Sequence, residues 1–101
     1  MGKRIDLYKN NELFVSTIQV FDGSQPYETA ISHMDYNDGK WIIVQAYDTL
    51  KEAKKGHDQW IEKMTSSKLP KELTDCCNSY ISQYGKSLGI KQVFKKKKNK
   101  N

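Results

Sequence analysis

Cysteine is scarce in this chain: Cys76 and Cys77 are the whole complement, and they are adjacent. Neighbouring residues are poorly placed for a mutual disulfide. A bare Cys-Cys pair also lacks the two-residue gap of a zinc knuckle or a thioredoxin-like redox pair. Two free thiols in a reducing compartment are the reading that remains. Glycine is thinly scattered, and Gly23, Gly39, Gly56, Gly85 and Gly89 form no Gly-rich motif that would cradle a phosphate. No Gly-x-Ser-x-Gly elbow is present and neither cysteine has a histidine near it in sequence, so nucleophilic catalysis has no support. Long apolar runs are missing too. The opening MGKRIDLYKNNEL reads neither as the apolar core of a signal peptide nor as a membrane span. Asp6 stands where a myristoylation signal wants Ser or Thr. The expected location is therefore cytoplasmic, with no membrane partner.

At 101 residues, 37% of them apolar, the chain is long enough for one domain with a modest core. That size leaves little room for a deep active-site cleft of roughly 300 Å³ or more. A binding or structural role is favoured over an enzymatic one, and no cofactor or metal is expected. Homo-oligomerisation would be a natural way to gain buried area. The net charge of +5 is unevenly placed. Lys95, Lys96, Lys97, Lys98 and Lys100 lie in the last seven positions, and the other 12 basic residues balance the 12 acidic ones. The body is formally neutral, and any attraction to nucleic acid or anionic lipid is expected mainly from a disordered basic arm, residues 95–101, following a single domain over 1–94.

The pattern along the body is α+β. Ile5 and Leu7 suggest a short edge strand, and Leu13–Phe21, rich in β-branched and aromatic residues, reads as a strand. A turn at Asp22-Gly23-Ser24-Gln25-Pro26 follows. Tyr27–Met34 forms the next strand, with Tyr27, Thr29, Ile31 and His33 on one face and Glu28, Ala30, Ser32 and Met34 on the other. Asn37-Asp38-Gly39 is a hairpin turn signal. Trp41–Tyr47 is a nearly continuous apolar run, the mark of a central strand with both faces partly covered. Thr49 with Glu52 three residues later predicts a capping box. Ala53, His57, Trp60, Ile61 and Met64 then form one face of a helix over Thr49–Thr65. A second helix is expected from Lys71 or Thr74 to Leu88, with a Cys77, Tyr80, Ile81, Tyr84, Leu88 stripe and Gly89 as its stop. Ile90, Val93 and Phe94 are placed to tack the chain end onto the body. The predicted architecture is an antiparallel sheet of three to four strands, covered by one main helix, plus this second helix.

Among the candidate residues His57 is chemically the most unusual, because it shares the apolar helix face and follows Gly56, which lets the helix approach the sheet. A catalytic or metal role would need Glu28 or His33 beside it. Those two differ by five positions and point to opposite faces of a regular strand, so at most one of them meets His57. The stronger reading is a half-buried histidine bonded to a carboxylate or carbonyl, holding helix to sheet. Glu28 reads mainly as a solvent-facing strand position.

The segment YETAISH…WIIVQAYDTLKEAKKGHDQW resembles a group of small proteins encoded in tailed-phage and prophage genomes. The shared features are a Glu-Thr strand (Glu28, Thr29), a strand ending in Tyr47, and a helix opening with Thr49, Glu52, Ala53, Gly56 and His57. The resemblance implies an origin and no particular activity. Together these readings point to a non-enzymatic phage-type accessory protein that binds another protein, in virion or tail assembly or against a host factor. It would work in the host-cell cytoplasm or in the virion. Trp41, Trp60, Tyr36 and Tyr47 are the side chains most able to anchor such a contact if exposed. The alternative is nucleic-acid binding through the lysine arm.

Overall fold

The computed structural model describes residues 2–21, 25–76 and 92–97. Four antiparallel strands form a meander in the order β1-β2-β3-β4: β1 Lys3–Lys9, β2 Leu13–Gln19, β3 Tyr27–His33 and β4 Ile42–Tyr47. One helix, α1 (Leu50–Thr65), packs across one face of this sheet. A second, two-stranded sheet pairs β5 (Glu72–Asp75) with β6 (Gln92–Lys95). The α+β expectation and the edge strand at Ile5 and Leu7 are therefore met.

Alternation sets which side chains enter the core. Leu13, Val15 and Thr17 on β2 face Thr29, Ile31 and His33 on β3, and all six are buried toward the helix. Two β-bulges adjust this phase. On β1, Arg4 pairs with Ile18 and Asp6 with Thr17, so Ile5 is the extra residue and Asp6 turns to the helix side. On β4, Ala30 pairs with Ile43 and Thr29 with Gln45, which leaves Val44 as the extra residue. That bulge lets Ile42, Gln45 and Tyr47 all face the helix, although 42 and 45 have opposite parity.

The helix begins as its sequence dictates. Thr49 is extended, and its hydroxyl accepts from the Glu52 N–H at 3.1 Å. The returning bond from Glu52 reaches the N–H of Asp48 at 3.3 Å, one residue before the cap. Ala53, Gly56, His57 and Met64 are buried, with Trp60 and Ile61 half-buried beside them. In the turn between β3 and β4, Asn37, Asp38 and Gly39 all take positive φ (53°, 53° and 82°). Asn, Asp and Gly tolerate that region best, and the turn signal reflects it.

Two expectations for the C-terminal part need correction. The second helix was placed from Lys71 or Thr74, but Glu72–Asp75 is a strand whose Leu73 is buried in the core opposite Phe94. Leu73 serves as an inward strand position, and the pairing to β6, distant in sequence, is invisible to a helical-spacing count. The remainder of that expected helix, residues 77–88, lies outside the described residues. The free arm was placed from Lys95. Instead Lys95 ends β6, and the backbone N–H groups of Lys96 and Lys97 donate to Lys71 and Asp35 carbonyls at 2.8 and 2.9 Å. Lys96 and Lys97 also pair with Asp35 (3.6 Å) and Asp38 (2.9 Å). The Lys97 ammonium holds the Asp38 carboxyl below the usual carboxylate range, mainly through this bond. Lys98 and Lys100 lie outside the described residues.

Burial pushes the phenols of Tyr36 and Tyr47 above the ordinary tyrosine value, with the Asp35 charge adding to the effect at Tyr36. A raised acid pKa means that the folded state holds its proton where the unfolded chain has lost it. Stability from these groups is complete below the unfolded value, about 10, and falls as pH rises through the folded ones. Chemical denaturation between pH 8 and 11 should show stability falling above about pH 10. A Tyr36→Phe/Tyr47→Phe double variant should show a shallower fall.

Candidate functional site

Two places stand out, one inside and one on the surface. The inner one is a continuous chain of polar groups between helix and sheet. His57 on α1 is 2% exposed, and its Nδ1 lies 2.7 Å from Thr17 Oγ1. Thr17 Oγ1 lies 2.7 Å from Thr29 Oγ1, which lies 3.0 Å from Tyr47 Oη. Both threonines are fully buried. Beyond them, Gln45 Oε1 accepts from Trp60 Nε1 at 2.8 Å and lies 3.5 Å from Tyr47 Oη. At the other end, His57 Nε2 faces Asp6 Oδ2 at 3.8 Å. Both bulges are needed for this line-up: the one at Ile5 brings Asp6 to His57, and the one at Val44 brings Gln45 and Tyr47 inward. Gly56 is required as well, because a Cβ there would lie 2.5 Å from Tyr47 Cζ and closer still to Cε1 and Oη.

His57 thus holds helix to sheet, but through a threonine hydroxyl and a nearby carboxylate, and it is buried where a half-buried position was expected. Neither predicted neighbour meets it. Glu28 pairs with Ile18 and Ala46 on the face away from the helix. His33 shares the helix face but accepts from the Asp35 N–H at 3.0 Å, its ring edge-on to Tyr36. Thr17, in the middle of the chain, is fully buried, while the chain's two ends, at Asp6 and at Gln45 and Tyr47 beside the cleft, come to the surface. Among the described residues, no group of three or more His, Cys, Asp or Glu side chains comes together that could hold a metal ion. No described helix is long and apolar enough to cross a membrane. An open polar cleft of about 380 Å³ lies beside Tyr47, between Gln25, Asp48, Glu52, Lys55 and Gln59.

The surface place is the outer face of the sheet. Phe14 alternates with buried Leu13 and Val15, so it points away from the helix, and its ring meets Trp41 edge-on at 6.1 Å. Phe14 is 39% exposed, Trp41 51%, and Met34, the residue after β3, 58%.

Of the four predicted anchors only Trp41 is available at the surface. Tyr36 is fully buried, and its hydroxyl donates to the Pro70 carbonyl at 2.6 Å, tying the β3–β4 turn to the segment before β5. Tyr47 is 4% exposed on the cleft floor. Trp60 is half-buried, its indole bonded to Gln45 and its ring 4.4 Å from Lys63 Nζ. Sequence reasoning missed Phe14, Met34, Asp6, Thr17, Thr29 and Gln45. Strand alternation carried a signal for the threonines, since both sit at inward positions between aliphatic residues.

In comparisons with protein-family models, curated proteins and solved structures, no match to this chain is found.

Proposed function

We propose that this chain is a small, non-enzymatic accessory protein of phage type that works by binding another protein through the outer face of its sheet. One observation carries the reading: Phe14 and Trp41 form an aromatic pair left substantially exposed, with Met34 exposed as well. Aromatic residues and methionine are enriched at protein interfaces, and tryptophan is over-represented among their energetic anchors. Exposed apolar surface of this kind marks interaction sites. The face, and not the sheet edge, is the natural contact. Edge strand β1 carries Lys3, Arg4 and Lys9 and a bulge, devices that discourage strand addition. The phage assignment rests on the resemblance over Tyr27–Trp60, and the contact would serve virion or tail assembly or act on a host factor.

Nucleic-acid binding ranks second. The lysine arm supports it, but Lys96 and Lys97 are already engaged with Asp35 and Asp38.

The test is affinity capture from host-cell lysate, followed by calorimetric titration of the identified partner against wild type and Trp41→Ser/Phe14→Ser. Loss of two partly exposed anchors should weaken binding about tenfold or more, some 1.4 kcal/mol. Circular dichroism checks that the fold persists. Equal affinity in the two proteins removes the sheet face from the contact. Binding of labelled DNA instead, with a log–log salt slope near −4.5 for about five phosphate contacts, would favour the second reading.

A further inference from the structure

The polar chain from Asp6 to Trp60 has two self-consistent hydrogen-bond directions, and only one is available at a time. With His57 neutral, the carboxylate of Asp6 favours a proton on Nε2, which leaves Nδ1 as an acceptor. Thr17 then donates to Nδ1, Thr29 donates to Thr17, and Tyr47 donates to Thr29. With His57 protonated, both ring nitrogens are donors, and Nδ1–H must give to Thr17 Oγ1. Thr17 then donates to Thr29, Thr29 to Tyr47, and the Tyr47 hydroxyl turns to Gln45 Oε1, the acceptor already used by the Trp60 indole.

We propose that this chain is a two-state relay in which protonation of His57 reverses the three hydroxyls and is read out at Gln45 and Trp60. The proton taken up stays on His57; the hydroxyl hydrogens rotate about their C–O bonds, and no covalent bond breaks. In the reversed state Gln45 Oε1 serves two donors, which loosens its bond to the Trp60 indole. The coupling thus runs from Asp6, 64% exposed at one edge, to the side chains around the cleft at the other. Other titratable groups are identified by element. Packed against α1 on the helix side, β1 contributes Lys3, Asp6 and Tyr8, β3 Tyr27 and His33, and β4 Tyr47, while the inward residues Leu13, Val15, Thr17 and Gln19 of β2 carry no titratable group. Only Asp6 and Tyr47 belong to the chain, and Tyr47, with its raised pKa, stays protonated through the range where histidine titrates.

The experiment is a nitrogen-15 NMR titration that follows the His57 ring and the Trp60 indole N–H together. In wild type the neutral ring should carry its proton on Nε2, and the Trp60 signal should move with the same midpoint as His57. Thr29→Val cuts the chain in the middle and should leave the His57 titration in place while abolishing the Trp60 response. Tyr47→Phe removes a later hydroxyl and should do the same, which covers the case where the valine variant does not fold. A neutral ring protonated on Nδ1 would overturn the relay. So would a Trp60 signal that ignores His57 in wild type, or one that follows it equally in the cut variants.

Discussion

Gly56→Ala is expected to destabilise the protein by about 2 kcal/mol, even though alanine is the better helix former by up to about 1 kcal/mol. The reason is the side chain beneath it. A Cβ at position 56 would overlap the ring and hydroxyl of Tyr47, which is nearly buried and bonded to Thr29. Either the helix lifts from the sheet or Tyr47 swings into the cleft and takes from the Thr29 hydroxyl one of its two partners; both outcomes lose packing or a buried hydrogen bond. The check is a double-mutant cycle by chemical denaturation. In a Tyr47→Ala background the obstruction is gone, and Gly56→Ala should then stabilise by up to about 1 kcal/mol, its helix-propensity gain. That change of sign separates close helix–sheet approach from any general intolerance of the position. If Gly56→Ala destabilises equally in both backgrounds, contact with Tyr47 is not why glycine is there.

How much of this was legible in the sequence depends on which residues carry the information. The helix announced itself because its signals are local: Thr49 and Glu52 are three apart, and the buried positions follow a single period. Strands β2 and β3 were equally plain, since strict alternation phases them. Strand β4 was visible but unphased, and the order β1-β2-β3-β4 puts it at an edge of the four-stranded sheet, where its apolar run had suggested a central place. WIIVQAY gives no alternation to read, and the bulge at Val44 means that no single parity describes it. The same holds for Asp6: by simple alternation it would face away from the helix, and only the bulge at Ile5 turns it toward His57. Bulges are set by pairing between strands, and one chain segment does not record them. β5 failed for a related reason. Its four residues find their partner at Gln92–Lys95, so nothing in the intervening sequence marks the pair.

The candidate site was half legible. His57 was singled out because a histidine on an apolar helix face must find a polar partner, and it does. Its partners were sought among ionisable groups, where the structure uses two threonine hydroxyls. A buried threonine looks like any β-branched strand residue until its facing position is known. The aromatic anchors show the converse error. Size and polarity make Tyr36, Tyr47 and Trp60 good contact residues, but the same properties let them close a core while satisfying their own polar ends: Tyr36 at Pro70, Tyr47 at Thr29 and Trp60 at Gln45. Trp41 escapes because the residue after it, Ile42, takes the inward position.

Thr17→Val should cost about 2–3 kcal/mol, more than Thr17→Ser, although valine preserves the shape and serine leaves a methyl-sized void. Thr17 is fully buried, and its hydroxyl is shared between Thr29 Oγ1 and His57 Nδ1, each at 2.7 Å. Valine therefore leaves two buried polar atoms without that partner, and water has no space to replace it. Serine keeps both bonds and loses only one methyl, worth about 1 kcal/mol. A core position that prefers the smaller, more polar residue runs against the hydrophobic ranking, so the order of the two variants is itself informative. The Thr17→Val/Thr29→Val pair sharpens the test. The two single changes remove the same hydrogen bond, so the double variant should cost less than their sum by roughly 0.5–3 kcal/mol. Urea denaturation of five proteins, wild type, Thr17→Val, Thr17→Ser, Thr29→Val and the double variant, gives all the needed differences. Strict additivity, or valine tolerated better than serine, would mean that the chain contributes nothing to holding helix on sheet.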